Sequence, residues 1–143
     1  MNIQVRVNFS QVNNLLNRHA RNLKDLRRAW RAGLVVYYGH VSETFEREGD
    51  PPWAPLREST LRRRRGSSAR ILQDTGHLKK SVSGPSTYGF ARVTPNSLTL
   101  GSKLPYAGYH MTGTRNMPAR PFLTVNQPVL DRMAAAMLRT LSA

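Results

Sequence analysis

The 143-residue chain has no cysteine, which removes disulfides, thiolate zinc sites and cysteine nucleophiles together. Acid is scarce too: 8 Asp and Glu stand against 22 Lys and Arg, a formal charge of +14. The longest strongly apolar run, Leu34 to Tyr38, falls far short of the ~20 residues of a membrane span, and the opening MNIQVRVNF has no signal-peptide apolar core. A protein made in the cytosol, with no membrane partner, is the expectation. Gly and Pro, at 10 and 9, are too few for a linker or a collagen-like chain, and no internal repeat occurs. With 39% hydrophobic residues the chain can bury one core, as a single domain over residues 1–143.

What is abundant is positive charge, and such a surface attracts nucleic acid, acidic lipid or acidic protein. Between Arg57 and Lys80 stand eight basic residues and two acidic ones. Four of the eight are adjacent, Arg62, Arg63, Arg64 and Arg65, able to neutralise phosphates or to clamp carboxylates as a fork. A solvated charge run is the bland alternative. No interleaved aromatic residue offers a base-stacking platform, so contact without sequence readout is the binding mode expected. Residues 62–70 are expected to form a mobile basic loop.

Catalytic chemistry finds no foothold. His19, His40, His77 and His110 are scattered without the helical pairing of a zinc site. The carboxylates of Asp25, Asp50, Asp74, Asp131, Glu43, Glu46, Glu48 and Glu58 single out no acid and base pair. Gly101-Ser102-Lys103 lacks the spacing of a phosphate loop, and no Gly-x-Ser-x-Gly elbow exists. No enzyme, metal or cofactor is expected.

Patterning predicts an α+β fold, with a long N-terminal helix and a C-terminal helix packed on a small antiparallel sheet. Ile3, Val5, Val7 and Phe9 alternate with polar residues, as a half-buried strand does. Ser10 opens a short helix to about Arg18, and the polar run Asn17 to Asn22 interrupts it. Asn22 and Asp25 resemble an N-cap with an acidic third residue. The stripe Leu23, Leu26, Trp30, Leu34, Tyr38, Val41 and Phe45 then predicts a helix over Leu23 to Glu48, about 39 Å long at 1.5 Å per residue. Gly49, Asp50, Pro51 and Pro52 end it. Trp30 and Phe45 are core candidates. Trp53 and Leu56 are expected to fold back and cap the helix end, which is core packing. Ser59 to Arg65 reads as a short basic helix stopped by Gly66, with Gly66 to Ala69 a mobile loop. Asp74-Thr75-Gly76 reads as a turn with positive φ at Gly76, ahead of strands at Leu78 to Ser83, Thr87 to Val93 and Leu98 to Gly101. Leu130, Met133, Met137, Leu138 and Leu141 predict a helix over Val129 to Leu141. Pro118 and Pro121 bracket an extended arm on which Arg120 and Phe122 point outward to a neighbour, core burial of Phe122 being the alternative.

Three stretches resemble the phage virion morphogenesis family, the tail-completion proteins of Mu-like and P2-like tailed phages. They are Phe45-Glu-Arg-Glu-Gly49 with Trp53-Ala-Pro-Leu56 and Thr60; Ile71-Leu-Gln-Asp-Thr-Gly-His-Leu-Lys-Lys-Ser81; and Tyr106-Ala107 through His110 and Gly113 to Pro118-Ala-Arg-Pro-Phe-Leu123. Met111 departs from the family, which often places Gln after the histidine. The resemblance implies a structural, non-enzymatic α+β subunit of the virion at the head–tail junction, present in host cytoplasm during assembly. It implies a tail-completion, tail-terminator or head–tail joining role in a homo-oligomeric ring, six-fold by tail symmetry, with neck and tail proteins as neighbours and packaged DNA as a further candidate contact. Tyr106, His110, Arg115, Arg120 and Phe122 are the candidate subunit interface. Arg62 to Arg65 are the candidate DNA or acidic-partner contact. The runner-up function is a nonspecific nucleic-acid-binding protein using segment 57–80.

Overall fold

The computed structural model describes residues 5–9, 12, 25–64 and 70–142, with the backbone alone for residues 5–8 and 142. His19, Arg65, the Gln11–Arg18 helix apart from Val12, the break at Asn17 to Asn22 and the Gly66–Ala69 loop lie outside that set. Val12 is helical and buried.

Strand β1, Val5–Asn8, lies where the alternation placed it. β2, Gly89–Thr94, and β3, Ser97–Ser102, form a hairpin in which Thr94 opposes Ser97, so Pro95 and Asn96 make the turn. Proline sets the turn's first φ, and Thr94 Oγ1 accepts the Asn96 N–H at 3.3 Å. β3 is the central strand of a three-stranded antiparallel sheet, order β1-β3-β2, with Val7 opposite Leu100. Leu98 and Leu100 share its core side.

Helix α1 runs over Arg27–Glu46, 20 residues or about 30 Å, shorter than the apolar stripe implied. Asp25 is not its third residue. It precedes the helix, accepts the Arg27 N–H at 3.0 Å and pairs with the Arg27 guanidinium at 2.6 Å. Leu26 donates its N–H to the Pro95 carbonyl at 3.0 Å, tying the start of α1 to the hairpin turn.

The buried face of α1 carries Ala29, Trp30, Gly33, Tyr37, His40, Val41, Thr44 and Phe45. Leu34 and Tyr38, which the stripe placed inside, are only half-buried. The face is rotated because Gly33 admits the closing helix α5, Gln127–Ser142. A Cβ on Gly33 would lie 2.9 Å from Met137 Sδ, so the absent side chain is the space that methionine fills. Val129, Met133 and Met137 of α5 are fully buried along α1.

Among the described residues three short helices follow α1: α2, Glu58–Arg62; α3, His77–Ser83; and α4, Ala107–Thr112. α3 corrects the strand expected at Leu78 to Ser83. Its buried apolar residues, Leu78 and Val82, are four apart, a spacing that suits both a strand face and one helical turn. Gly76 has the expected positive φ, 83°, and serves as the N-terminal boundary of α3. α3 packs between α1 and the β2–β3 hairpin. The fold is α+β, with the long helix between the sheet and the C-terminal helix.

Candidate functional site

The last carbonyls of any helix lack partners within it. At the end of α1 the chain turns back through Glu48, at φ 56°, whose N–H bonds the Phe45 carbonyl while the Gly49 N–H bonds that of Thr44, at 3.2 and 2.9 Å. The left-handed residue is therefore Glu48, ahead of the glycine. Trp53 returns over the helix end as expected, its ring edge-on to Phe45 at 5.5 Å. Leu56 is half-buried beside the core.

Residues 70–73 reach the same helix end. Arg70 Nη2 donates to the Glu46 carbonyl at 2.6 Å, and Gln73 Nε2 to the Phe45 carbonyl at 3.2 Å. The Ile71 N–H bonds Glu48 Oε1 at 2.8 Å. Between them Leu72 is held at φ 60°, a strained conformation for a bulky residue.

The third segment closes the frame. Trp53 Nε1 donates to the Pro121 carbonyl at 2.9 Å, and Tyr37 OH to that of Thr124 at 3.0 Å. Arg120, expected to project outward, points inward, and Phe122 follows the core alternative. Phe122 is fully buried, its ring 5.9 Å from Phe45. Arg120 is 6% exposed, its Nε donating to the Ala54 carbonyl at 2.8 Å and its Nη2 to that of Pro55 at 3.0 Å. Carbonyls after a proline-rich turn need donors, and a planar fork supplies two at once. Met111 Sδ accepts the N–H groups of Phe122 and Leu123 at 3.4 and 3.5 Å, so its sulfur takes an acceptor role.

Burial lowers the Arg120 pKa, and the nearby Arg64 lowers it further. Burial, then Arg120, pushes His110 below the usual histidine range. His110 Nδ1 is buried with no hydrogen-bond partner among the described residues, as is Trp30 Nε1 in the core. His40 is lowered by burial, opposed by its contact with the Thr124 carbonyl at 3.2 Å.

Outside this frame lies an open cleft of about 680 Å³. Leu56, Leu72, Leu78 and Met117 give it an apolar floor, and Arg57, Arg63, Arg64 and Asp74 stand in its walls. Tyr106, 40% exposed, lines it with its ring edge-on to His110, 6.0 Å away. Arg115 lies exposed in the Thr114–Met117 turn. Arg62, exposed, stands 3.5 Å from Glu58, and Arg64 donates to the Arg70 carbonyl. The run Arg62 to Arg65 is thus divided, since Arg63 and Arg64 face the cleft. Residues given no individual role from sequence, Arg57, Arg70, Leu72 and Gln73, prove central. Their only signal was membership of the basic stretch or of the Ile71–Ser81 motif.

Among the described residues no three metal-capable side chains gather, and no helix is long and apolar enough to cross a membrane. The arrangement ties side-chain donors to the backbone carbonyls of other segments and leaves a cleft lined by cations.

All three resembling stretches meet here, and a sequence profile of the phage virion morphogenesis family matches the chain over residues 7–142. The chain belongs to the phage virion morphogenesis family. Neither curated proteins nor solved structures give a match. A virion morphogenesis protein has a structural task, and the family is not an enzyme class. In this virion morphogenesis protein the motif residues serve first as internal ties.

Proposed function

We propose that this subunit acts at the head–tail junction, completing the tail or joining it to the head as part of a homo-oligomeric ring. The observation that carries the reading is that the family match, 7–142, takes in every segment of the frame and both walls of the cleft. Side-chain donors bound to backbone carbonyls of distant segments make a rigid block, and a rigid block with a shaped surface suits stacking between larger assemblies. Six copies at +14 each repel one another, so ring closure calls for acidic neighbours or DNA as counter-charge. Free subunits are then monomers or small oligomers at low salt.

The test is a nonsense mutant of the gene, with particles examined by electron microscopy. Filled heads and separate tails should accumulate, and purified protein added to the extract should join them. Normal virions would refute the junction role, and empty heads would move the subunit to an earlier step. A stable ring of isolated protein at low salt, seen by native mass spectrometry, would defeat templated closure.

A further inference from the structure

Folding consumes most of the polar groups near the cleft, and what remains is informative. Arg64 and Arg120 in its walls donate to backbone carbonyls. Arg57 and Arg63, at the two ends of α2, are exposed and form no ion pair among the described residues. The same cleft has an apolar lining that includes Leu72 and Leu78, buried to 8% and 4% exposure. Leu72 is kept in its strained conformation by the bonds of Arg70, Ile71 and Gln73, and strain retained beside a cavity is typical of ligand clamps. The volume, about 680 Å³, lies in the range of formed binding clefts.

We propose that this cleft is the docking groove for an extended acidic segment of a neighbouring virion protein. One apolar side chain of that segment sits on Leu72 and Leu78, and flanking carboxylates pair with Arg57 and Arg63. The proposal deepens the junction reading and rests on it for the identity of the neighbour as a virion protein.

Charge decides the sign of the occupant, since Asp74 is the single carboxylate lining a cleft that holds four arginines. Shape decides its class. A DNA duplex is too wide to enter and would reach only the rim, leaving the apolar floor wet. A second copy of this chain is poorly suited to supply the acid. Of its eight carboxylates, Asp25, Glu48, Glu58 and Asp131 already engage their own chain through Arg27, Ile71, Arg62 and Gln127. A different, acidic protein meets both demands.

The experiment uses the full chain and its double variant Arg57→Glu/Arg63→Glu, with Arg57→Gln/Arg63→Gln as a second version should charge reversal disturb folding. Both positions are exposed, so circular dichroism and melting should match the parent. The probe is a fluorescein-labelled peptide Glu-Asp-Leu-Asp-Glu, compared with Lys-Lys-Leu-Lys-Lys, with Glu-Asp-Gly-Asp-Glu and with a short DNA duplex. The acidic leucine peptide should bind, should shift the amide resonances of Gly76, Leu78, Asn116 and Met117, and should bind the double variant about ten-fold more weakly. Equal binding of the lysine or glycine peptide overturns the proposal. So does tighter binding of the duplex through the same two arginines, which would make the cleft a DNA contact.

In phage, the double variant should leave heads and tails unjoined, with suppressors that change an acidic residue of a neighbouring virion protein to a basic one. If the nonsense mutant blocks joining while the double variant joins normally, the groove fails and the junction reading stands. If the nonsense mutant joins normally, the junction reading fails whatever the peptide does.

Discussion

The middle and the C-terminal end of helix α1 are held by different physics. Its middle packs on α5 through buried apolar side chains, with Gly33 receiving Met137, and Trp30 beside Gly33 in sequence is fully buried. Its C-terminal end is held by directed bonds to carbonyl oxygens, from Arg70, Gln73 and, through the next loop, Arg120 and Trp53. The first arrangement tolerates many apolar residues of similar volume. The second tolerates few, because each donor has one geometry that works. Variation should therefore be cheap along the α1–α5 seam at constant volume and costly in the frame even where little area is lost.

The largest effect that would test this contrast is truncation of the apolar face of α1. Trp30→Ala should lower stability by about 3–5 kcal/mol, read from denaturant unfolding. An unchanged midpoint would remove Trp30 from the core. Next comes the fork: Arg120→Met keeps volume but leaves the Ala54 and Pro55 carbonyls without donors, and should cost about 1.5–3 kcal/mol. Arg120→Lys should recover only part of that, since an ammonium cannot span both acceptors as a planar fork does. Full recovery would show that charge alone matters there. Gln73→Ala should cost about 1 kcal/mol through the Phe45 carbonyl, with the fold retained.

A pH series sharpens the comparison further. His40 and His110 are both lowered from 6.5 by burial, so below that pH the unfolded chain binds more protons than the folded one. Stability should be level above neutrality and fall as pH drops below about 6.5 toward the lowered values, and His110→Gln should flatten part of the fall. A melting point that rises on acidification would contradict the burial of both rings. The smallest effect belongs to Arg62→Ser with Arg63→Ser, exposed residues whose loss should change stability by no more than about 0.5 kcal/mol while infectivity drops.

The buried faces of α1 and α5 were legible in the sequence because burial on a helix leaves a period. Trp30, Val41 and Phe45 lie in the core as the stripe requires, and Met133 and Met137 do so on α5. The rotation toward Gly33 and Tyr37 was not, since a glycine's value as an empty space depends on the helix that comes to fill it. The segment at α3 misled because two apolar residues four apart satisfy either period. In the frame, sequence displayed the motifs but not their direction. A proline-flanked Arg120 looks like an exposed arm until the carbonyls of Ala54 and Pro55, more than sixty positions earlier, are found to need it. Met111 conceals its part equally well, because nothing in a methionine's spacing announces an acceptor.

The bonds that close the frame join residues 65 to 87 positions apart. A chain emerging from the ribosome can wind α1 early, but Arg120, Pro121 and Thr124 arrive late, and loop closure over such distances is slow. The far wall of the cleft is thus among the last features to form. Chains cut short before Arg120 carry the basic stretch without that wall, and on the docking proposal above they would be passed over in assembly.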